Sequence, residues 1–174
     1  MNDPALIALG ANLGDPLQTL AQAISQLGAH GEVVARSRPY LTAPVGGPPG
    51  QPDYVNAVIA FRPAEAALGP ADLLALLLDL ERLHGRERRI AWDARTLDLD
   101  LLAWGHLRVA TAGLTLPHPR LGDRAFVLVP LADVMPQWRH PVSGAGLNEL
   151  LAGVDTSGVR PLVGGWPDSA EAAW

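Results

Sequence analysis

The chain has 174 residues, 48% of them hydrophobic, and a net charge of −5, which suits one domain with its own core and argues against disorder and against nucleic-acid binding. It has no cysteine, which excludes disulfides and thiolate metal sites. No apolar run reaches the ~20 residues of a membrane span and Met1 to Leu9 lacks the basic start of a signal peptide, so a soluble, cytoplasmic protein without membrane or nucleic-acid partners is expected. Lysine is absent too, and all 13 basic residues are Arg. A Walker-type phosphate loop is thereby excluded, because it needs its Lys.

Ala5 to Leu9 reads as a buried strand that Gly10 ends. Asp15 followed by Pro16 has the form of a helix N-cap with Pro in the first turn. Leu17, Leu20, Ile24 and Leu27 then recur at helical spacing up to Gly28. Val33 to Leu41 is a second strand. Thr42 to Pro52 carries four Pro and three Gly, too many for a regular element, and is a long loop of the kind that is often functional. Val55 to Phe61 is the third strand. A second helix opens at Pro70 and runs to about His84, with Leu73, Leu76, Leu77 and Leu80 as its core stripe. Leu74, Leu78 and Glu81 form a neighbouring stripe, so Glu81 ends an otherwise apolar face. From Leu97 to Leu101 apolar and acidic residues alternate, the period of a half-buried strand.

The order β-α-β-β-α-β predicts an α+β fold, a ferredoxin-like antiparallel sheet with two helices packed on one face. Beyond it, Trp104 to Leu116 suggests a hairpin, Pro117-His118-Pro119 a turn, Arg124 to Leu131 a further apolar segment and Leu147 to Leu151 a short helix. Residues 1–160 are read as a single domain and 161–174 as an irregular tail that carries two Trp.

Asp98 and Asp100 stand on one strand face, about 6.6 Å apart. Two carboxylates that close repel unless a cation lies between them, and Mg²⁺ commonly binds one or two carboxylates together with substrate phosphates. A solvated polar face is the plainer reading of a bare Asp-x-Asp. However, Arg82, Arg86, Arg88, Arg89 and Arg95 lie just upstream, and a helix C-terminus accounts for only two of them. Cluster and pair together suit a metal-bound polyphosphate. Asn56, on an otherwise apolar strand, either satisfies backbone groups or reads the hydrogen-bonding edge of a flat heterocycle. His118 is either a turn residue or, with Arg124, a ligand for phosphate oxygens. Gly10 and Asn12 lie where a small loop lets a ligand approach the backbone.

Several stretches now resemble one family, 6-hydroxymethyl-7,8-dihydropterin pyrophosphokinase of folate biosynthesis. They are Ala8 to Gly14, Tyr40 with Thr42 to Gly46, Gln51 to Ala57, Gly85-Arg86, Arg95-Thr96-Leu97-Asp98-Leu99-Asp100, and Leu116 to Arg120 with Arg124 to Leu128. The resemblance implies transfer of the β,γ-diphosphate of ATP to the pterin hydroxymethyl group with release of AMP. It implies two Mg²⁺ on Asp98 and Asp100, with Arg86 and Arg95 assisting catalysis. Gly10, Asn12, Thr42, Pro44, Val45 and Tyr54 would belong to the pterin side, where Asn56 reads the ring edge, Phe126 stacks and Trp92 closes over. Leu74, Leu78, Glu81 and Arg88 would belong to the ATP side, with Leu101, Thr115, His118 and Arg124. A monomer acting on these two small molecules is expected. The chain departs from the family's pattern at Ala91-Trp92-Asp93-Ala94-Arg95, where Arg-Trp-Gly-Pro-Arg is usual, at Ala11, and at Gly113. Two other readings, a pterin-binding paralogue without turnover and a metal-dependent phosphohydrolase, differ from the first in whether AMP forms and whether its formation needs pterin.

Overall fold

The computed structural model describes residues 3–45, 49–65, 68–85 and 96–167. β1 (Ala5–Ala11) lies inside the sheet, antiparallel to β4 (Tyr54–Pro63) on one side and to β5 (Asp98–Trp104) on the other. Both of its faces are covered, which is why it is apolar almost throughout rather than alternating. The far edge of β4 is shared by β2 (Gly31–Arg36) and β3 (Tyr40–Thr42).

The expected second strand, Val33 to Leu41, is therefore two strands. Pro39 has no N–H to give a ladder, and Ser37 makes the break without leaving buried groups unpaired. Its N–H donates to the Val58 carbonyl (2.9 Å), while its hydroxyl accepts from the Val58 N–H (3.0 Å).

α1 (Pro16–Gly28) begins where the Asp15 carboxylate accepts from the Gln18 N–H (3.0 Å). α1 and α2 (Pro70–Leu83) cover one face of the sheet. Leu20, Ile24 and Leu27 of α1 and Leu73, Leu77 and Leu80 of α2 meet Ile7, Leu9, Ile59 and Phe61 there. That half is the ferredoxin-like arrangement. In the C-terminal additions a hairpin of β6 (Val109–Ala110) and β7 (Thr115–Leu116) is followed by a short 3₁₀ turn, Leu121–Asp123, then by α3 (Ala125–Val134) and α4 (Leu147–Ala152). Of these, α3 and α4 cover the other face, whereas the hairpin residues Val109 and Leu116 join the core under α1 and α2. Val127, Leu128 and Leu131 pack with Leu6, Val58 and Leu102, which are strand residues whose side chains point away from α1 and α2.

The stretch read as an irregular tail is docked as far as it is described. β8 (Arg160–Pro161) pairs with β3, the Leu162 N–H donates to the Pro39 carbonyl, and buried Trp166 donates from Nε1 to the Ser37 carbonyl (2.8 Å). Among the described residues no helix is long and apolar enough to cross a membrane.

Candidate functional site

Register decides which side chains meet. Gly10 pairs with Asp98 on β5 and with Asn56 on β4, and Asn56 pairs with Tyr40 on β3. Directly opposed residues share a face, so Asp98, Gly10, Asn56 and Tyr40 form one row across four strands, on the face turned toward α3. Asp100 lies two residues along, opposite Ala8, on the same face.

Gly10 is small for a reason that the row supplies. A Cβ there would lie 3.0 Å from Asn56 Oδ1. The Asn56 amide is buried, and its Nδ2 donates to Thr42 Oγ1 at 2.6 Å. This bond holds the Asn56 amide in place across β4 and β3. Tyr54 stands two residues before Asn56 on the same face, near Gly10.

Asp98 and Asp100 are both half-buried. Asp100 Oδ2 accepts from Arg124 Nη1 at 3.2 Å. The largely buried Arg124 precedes the first residue of α3, and its guanidinium carbon lies 5.7 Å from the centre of the Phe126 ring. His118 completes this side. Burial pushes its imidazole below the ordinary value of 6.5, with Arg124 and Arg120 acting the same way and Asp100 and Asp98 opposing. Its carbonyl accepts from the Leu121 N–H, and its own N–H donates to the Leu102 carbonyl (2.7 Å), which ties the turn to β5. A cleft of about 360 Å³ lies beside it, lined by Val109, Thr115, His118, His140 and Val142 among others.

The pair of carboxylates suits a hard cation. Among the described residues no cluster of three or more His, Cys, Asp or Glu could hold a metal ion. Mg²⁺ does not need one, because it keeps several waters and shares substrate phosphates. The donor set is all oxygen, as that ion prefers.

Other expected site residues take different positions. Asn12 is buried at the end of β1, where Nδ2 donates to Gln51 Oε1 (3.3 Å) and the Pro52 carbonyl (3.2 Å), so it pins the far end of the long loop. Pro44 is half-buried and Val45 exposed on that loop. Leu74 and Leu78 are half-buried on α2, Thr115 is exposed on β7, and Leu101 is in the core beneath the helices. Glu81 is 1% exposed, and its Oε1 accepts from the Leu99 N–H at 2.7 Å, between the two aspartates. Arg86, Arg88, Trp92 and Arg95 lie outside the described residues, as do Arg89 and the departures from the family's pattern at Ala91 to Ala94. Two residues of the row's surroundings were not expected as site residues. Tyr40 opens a quoted motif, yet nothing in its spacing reveals that it stands beside Asn56. Gln51 opens the stretch Gln51 to Ala57, yet nothing in that stretch reveals that its side chain meets Asn12.

Comparisons with known proteins come to the same place. A family model described as 7,8-dihydro-6-hydroxymethylpterin-pyrophosphokinase (HPPK) matches residues 6–136. A Synechocystis relative named 2-amino-4-hydroxy-6-hydroxymethyldihydropteridine pyrophosphokinase is 41% identical over 162 residues, 92% of this chain and 81% of its own. A Pseudomonas aeruginosa relative of the same name is 40% identical over 160 residues, 91% of this chain and 96% of its own. Among solved structures, Plasmodium falciparum HPPK-DHPS with pteroate matches 87% of this chain with a TM-score of 0.68. This chain spans 42% of that one, and at 12% identity the likeness speaks for the fold alone.

Proposed function

The chain belongs to the 7,8-dihydro-6-hydroxymethylpterin-pyrophosphokinase family, and from that premise we propose how its residues divide the work. The enzyme is a pyrophosphokinase of folate biosynthesis that uses ATP. It moves the β,γ-diphosphate of ATP to the hydroxymethyl group of 6-hydroxymethyl-7,8-dihydropterin. The hydroxymethyl oxygen bonds to the β-phosphorus, the bond from that phosphorus to the α-phosphate oxygen breaks, and AMP leaves.

The observation that carries the assignment is the row from Asp98 through Gly10 to Asn56. Two strand spacings, about 10 Å, separate the ends, a gap that a bicyclic ring and its exocyclic arm can bridge. Asn56, oriented by Thr42, reads the ring edge. Gly10 leaves the space over β1 open. Phe126 stacks on the ring and Tyr54 walls its end. Asp98 and Asp100 would hold Mg²⁺, two ions in this reading, which when bound would neutralise charge on the triphosphate. Arg124 and His118 meet the phosphate oxygens, with Arg124 also holding Asp100 in place. Leu74, Leu78 and Thr115 flank the nucleotide. Arg86, Arg88, Trp92 and Arg95 are assigned to the same site on the resemblance of their motif alone.

Phosphoryl-type transfer rests mainly on alignment and charge neutralisation, so little activation of the hydroxyl is needed. Asp98, closest along the row to the hydroxymethyl end, takes its proton. A monomeric, cytoplasmic enzyme is part of this reading.

The test is nucleotide analysis of purified protein given ATP, Mg²⁺ and the pterin. AMP should form with pterin and not without it. ATP consumed without pterin would favour the phosphohydrolase, and tight pterin binding without AMP the silent paralogue.

A further inference from the structure

α3 crosses the sheet face that carries the row, and both of its ends are tied. Arg124 to Asp133 spans about 13.5 Å at 1.5 Å per residue, while the three strand spacings from β5 to β3 come to about 14 Å. The N-terminal tie is Arg124 to Asp100 on β5. At the other end the Asp133 carboxylate accepts four hydrogen bonds. Arg38 donates from its backbone N–H (3.1 Å), from Nε (3.1 Å) and from Nη2 (2.9 Å), and the Tyr40 hydroxyl donates at 2.8 Å. Arg38 Nη2 also donates to the Tyr40 hydroxyl (2.8 Å), which closes the triangle.

Arg38 is well exposed, and an exposed ion pair adds little stability. What a fork of bonds to one carboxylate supplies is geometry. Tyr40, the residue it grips, is the row neighbour of Asn56. Burial and the bond to Asp133 push the Tyr40 hydroxyl up to about 12, so it stays a donor at any working pH.

We infer that Asp133 is a positioning residue for the pterin: with Arg38 and Tyr40 it fixes α3 over β3 and β4, and so sets where Phe126 stands against Asn56. This rests on the assignment of Asn56 and Phe126 to the pterin. In this reading the triangle acts on the ring only through Phe126 and Asn56.

The test compares Asp133→Asn, close in volume, and Tyr40→Phe with the wild type, in steady-state kinetics and in amide hydrogen exchange without ligands. Asp133→Asn should raise the KM for pterin roughly tenfold, short of the about 100-fold that a 1 Å misplacement can cost, and leave the KM for ATP and kcat within about twofold. Tyr40→Phe, which loses the bond to Asp133 and the one accepted from Arg38 but keeps the three from Arg38 to Asp133, should move the pterin KM in the same direction by less. In both variants the amides of residues 125–128, at the far end of α3, should exchange faster while those of β1 do not. Pterin and ATP constants that rise together, or unchanged exchange at residues 125–128, would overturn the inference. A wild type that forms no AMP would refute the functional reading instead, and the exchange data would still decide whether Asp133 holds α3.

Discussion

Replacing Gly10 with Ala places one methyl group in the middle of the row, between Asp98 and Asn56. That carbon would sit 3.0 Å from Asn56 Oδ1 and 4.0 Å from Tyr54 Cδ1, the second an ordinary contact, the first short by about 0.4 Å. The crowding thus falls on one atom. Asn56 can turn away only by weakening its 2.6 Å bond to Thr42, and overpacking of this kind costs about 1–3 kcal/mol. Against that, Ala lowers the entropy of the unfolded chain, a gain of about 0.4–1 kcal/mol in a strand that tolerates it. The net loss should be about 1 kcal/mol, a fall in Tm of roughly 2–4 °C for a chain of this size. Binding should suffer more than stability. A turned amide leaves a polar edge of the bound ring without its partner, at about 1–3 kcal/mol, so the KM for pterin should rise about tenfold or more with the KM for ATP unchanged. Thermal melts and two substrate titrations suffice. An unchanged pterin KM, or a change confined to ATP, would refute the placement of the ring over Gly10 and beside Asn56.

Glu81→Ala strips the buried Leu99 N–H of its acceptor and should cost about 2–3 kcal/mol in urea unfolding; because β5 carries both aspartates, kcat should fall too, whereas Glu81→Gln retains an acceptor and loses less. Trp166→Ala removes a buried ring that lies beneath Arg36 and donates to Ser37 and should destabilise by about 3–5 kcal/mol, while Trp166→Phe, which loses the N–H and part of the ring volume, should cost less, about 1–3 kcal/mol. His118 and His140 are both held below 6.5, chiefly by burial. The unfolded chain then binds protons that the native state refuses, so stability should fall as pH drops below about 6.5. Melts at pH 7, 6 and 5 should show that decline, and His140→Gln should flatten it; a slope that the variant leaves intact would contradict the role given to burial.

Local patterns made much of this fold legible before any coordinates. The alternation around Asp98 and Asp100 gave the strand and its face, because a period of two allows nothing else. Asp15 and Pro16 marked the start of α1, which Asp15 caps. Contacts distant in sequence were a different matter. Nothing near Asn56 reveals that Gly10 lies opposite it, since register comes from strand pairing across more than forty residues. The break at Ser37 was hidden because its hydroxyl replaces a ladder partner, although Pro39 hinted at it. Glu81 looked like the polar end of an apolar stripe, yet its partner is a backbone N–H on β5. α3 was recognised as apolar without being identified as a helix, since it is apolar around most of its circumference and contains Pro130. The docking of Trp166 depends on β3 having a free edge, which no local pattern encodes.

The central claim is that Asp98 and Asp100 serve the reaction while Asn56 and its neighbours hold the pterin. It is tested most directly by measuring pterin-dependent AMP formation and pterin binding together in Asp98→Ala and Asp100→Ala. Neither side chain fills core volume, so Asp98→Ala should melt near the wild type, and Asp100→Ala, which takes from the largely buried Arg124 its ion-pair partner, somewhat lower. They should still bind pterin and should form AMP slower by orders of magnitude. A variant that turns over near the wild-type rate would contradict the assignment of that carboxylate, and with it the site built on the row.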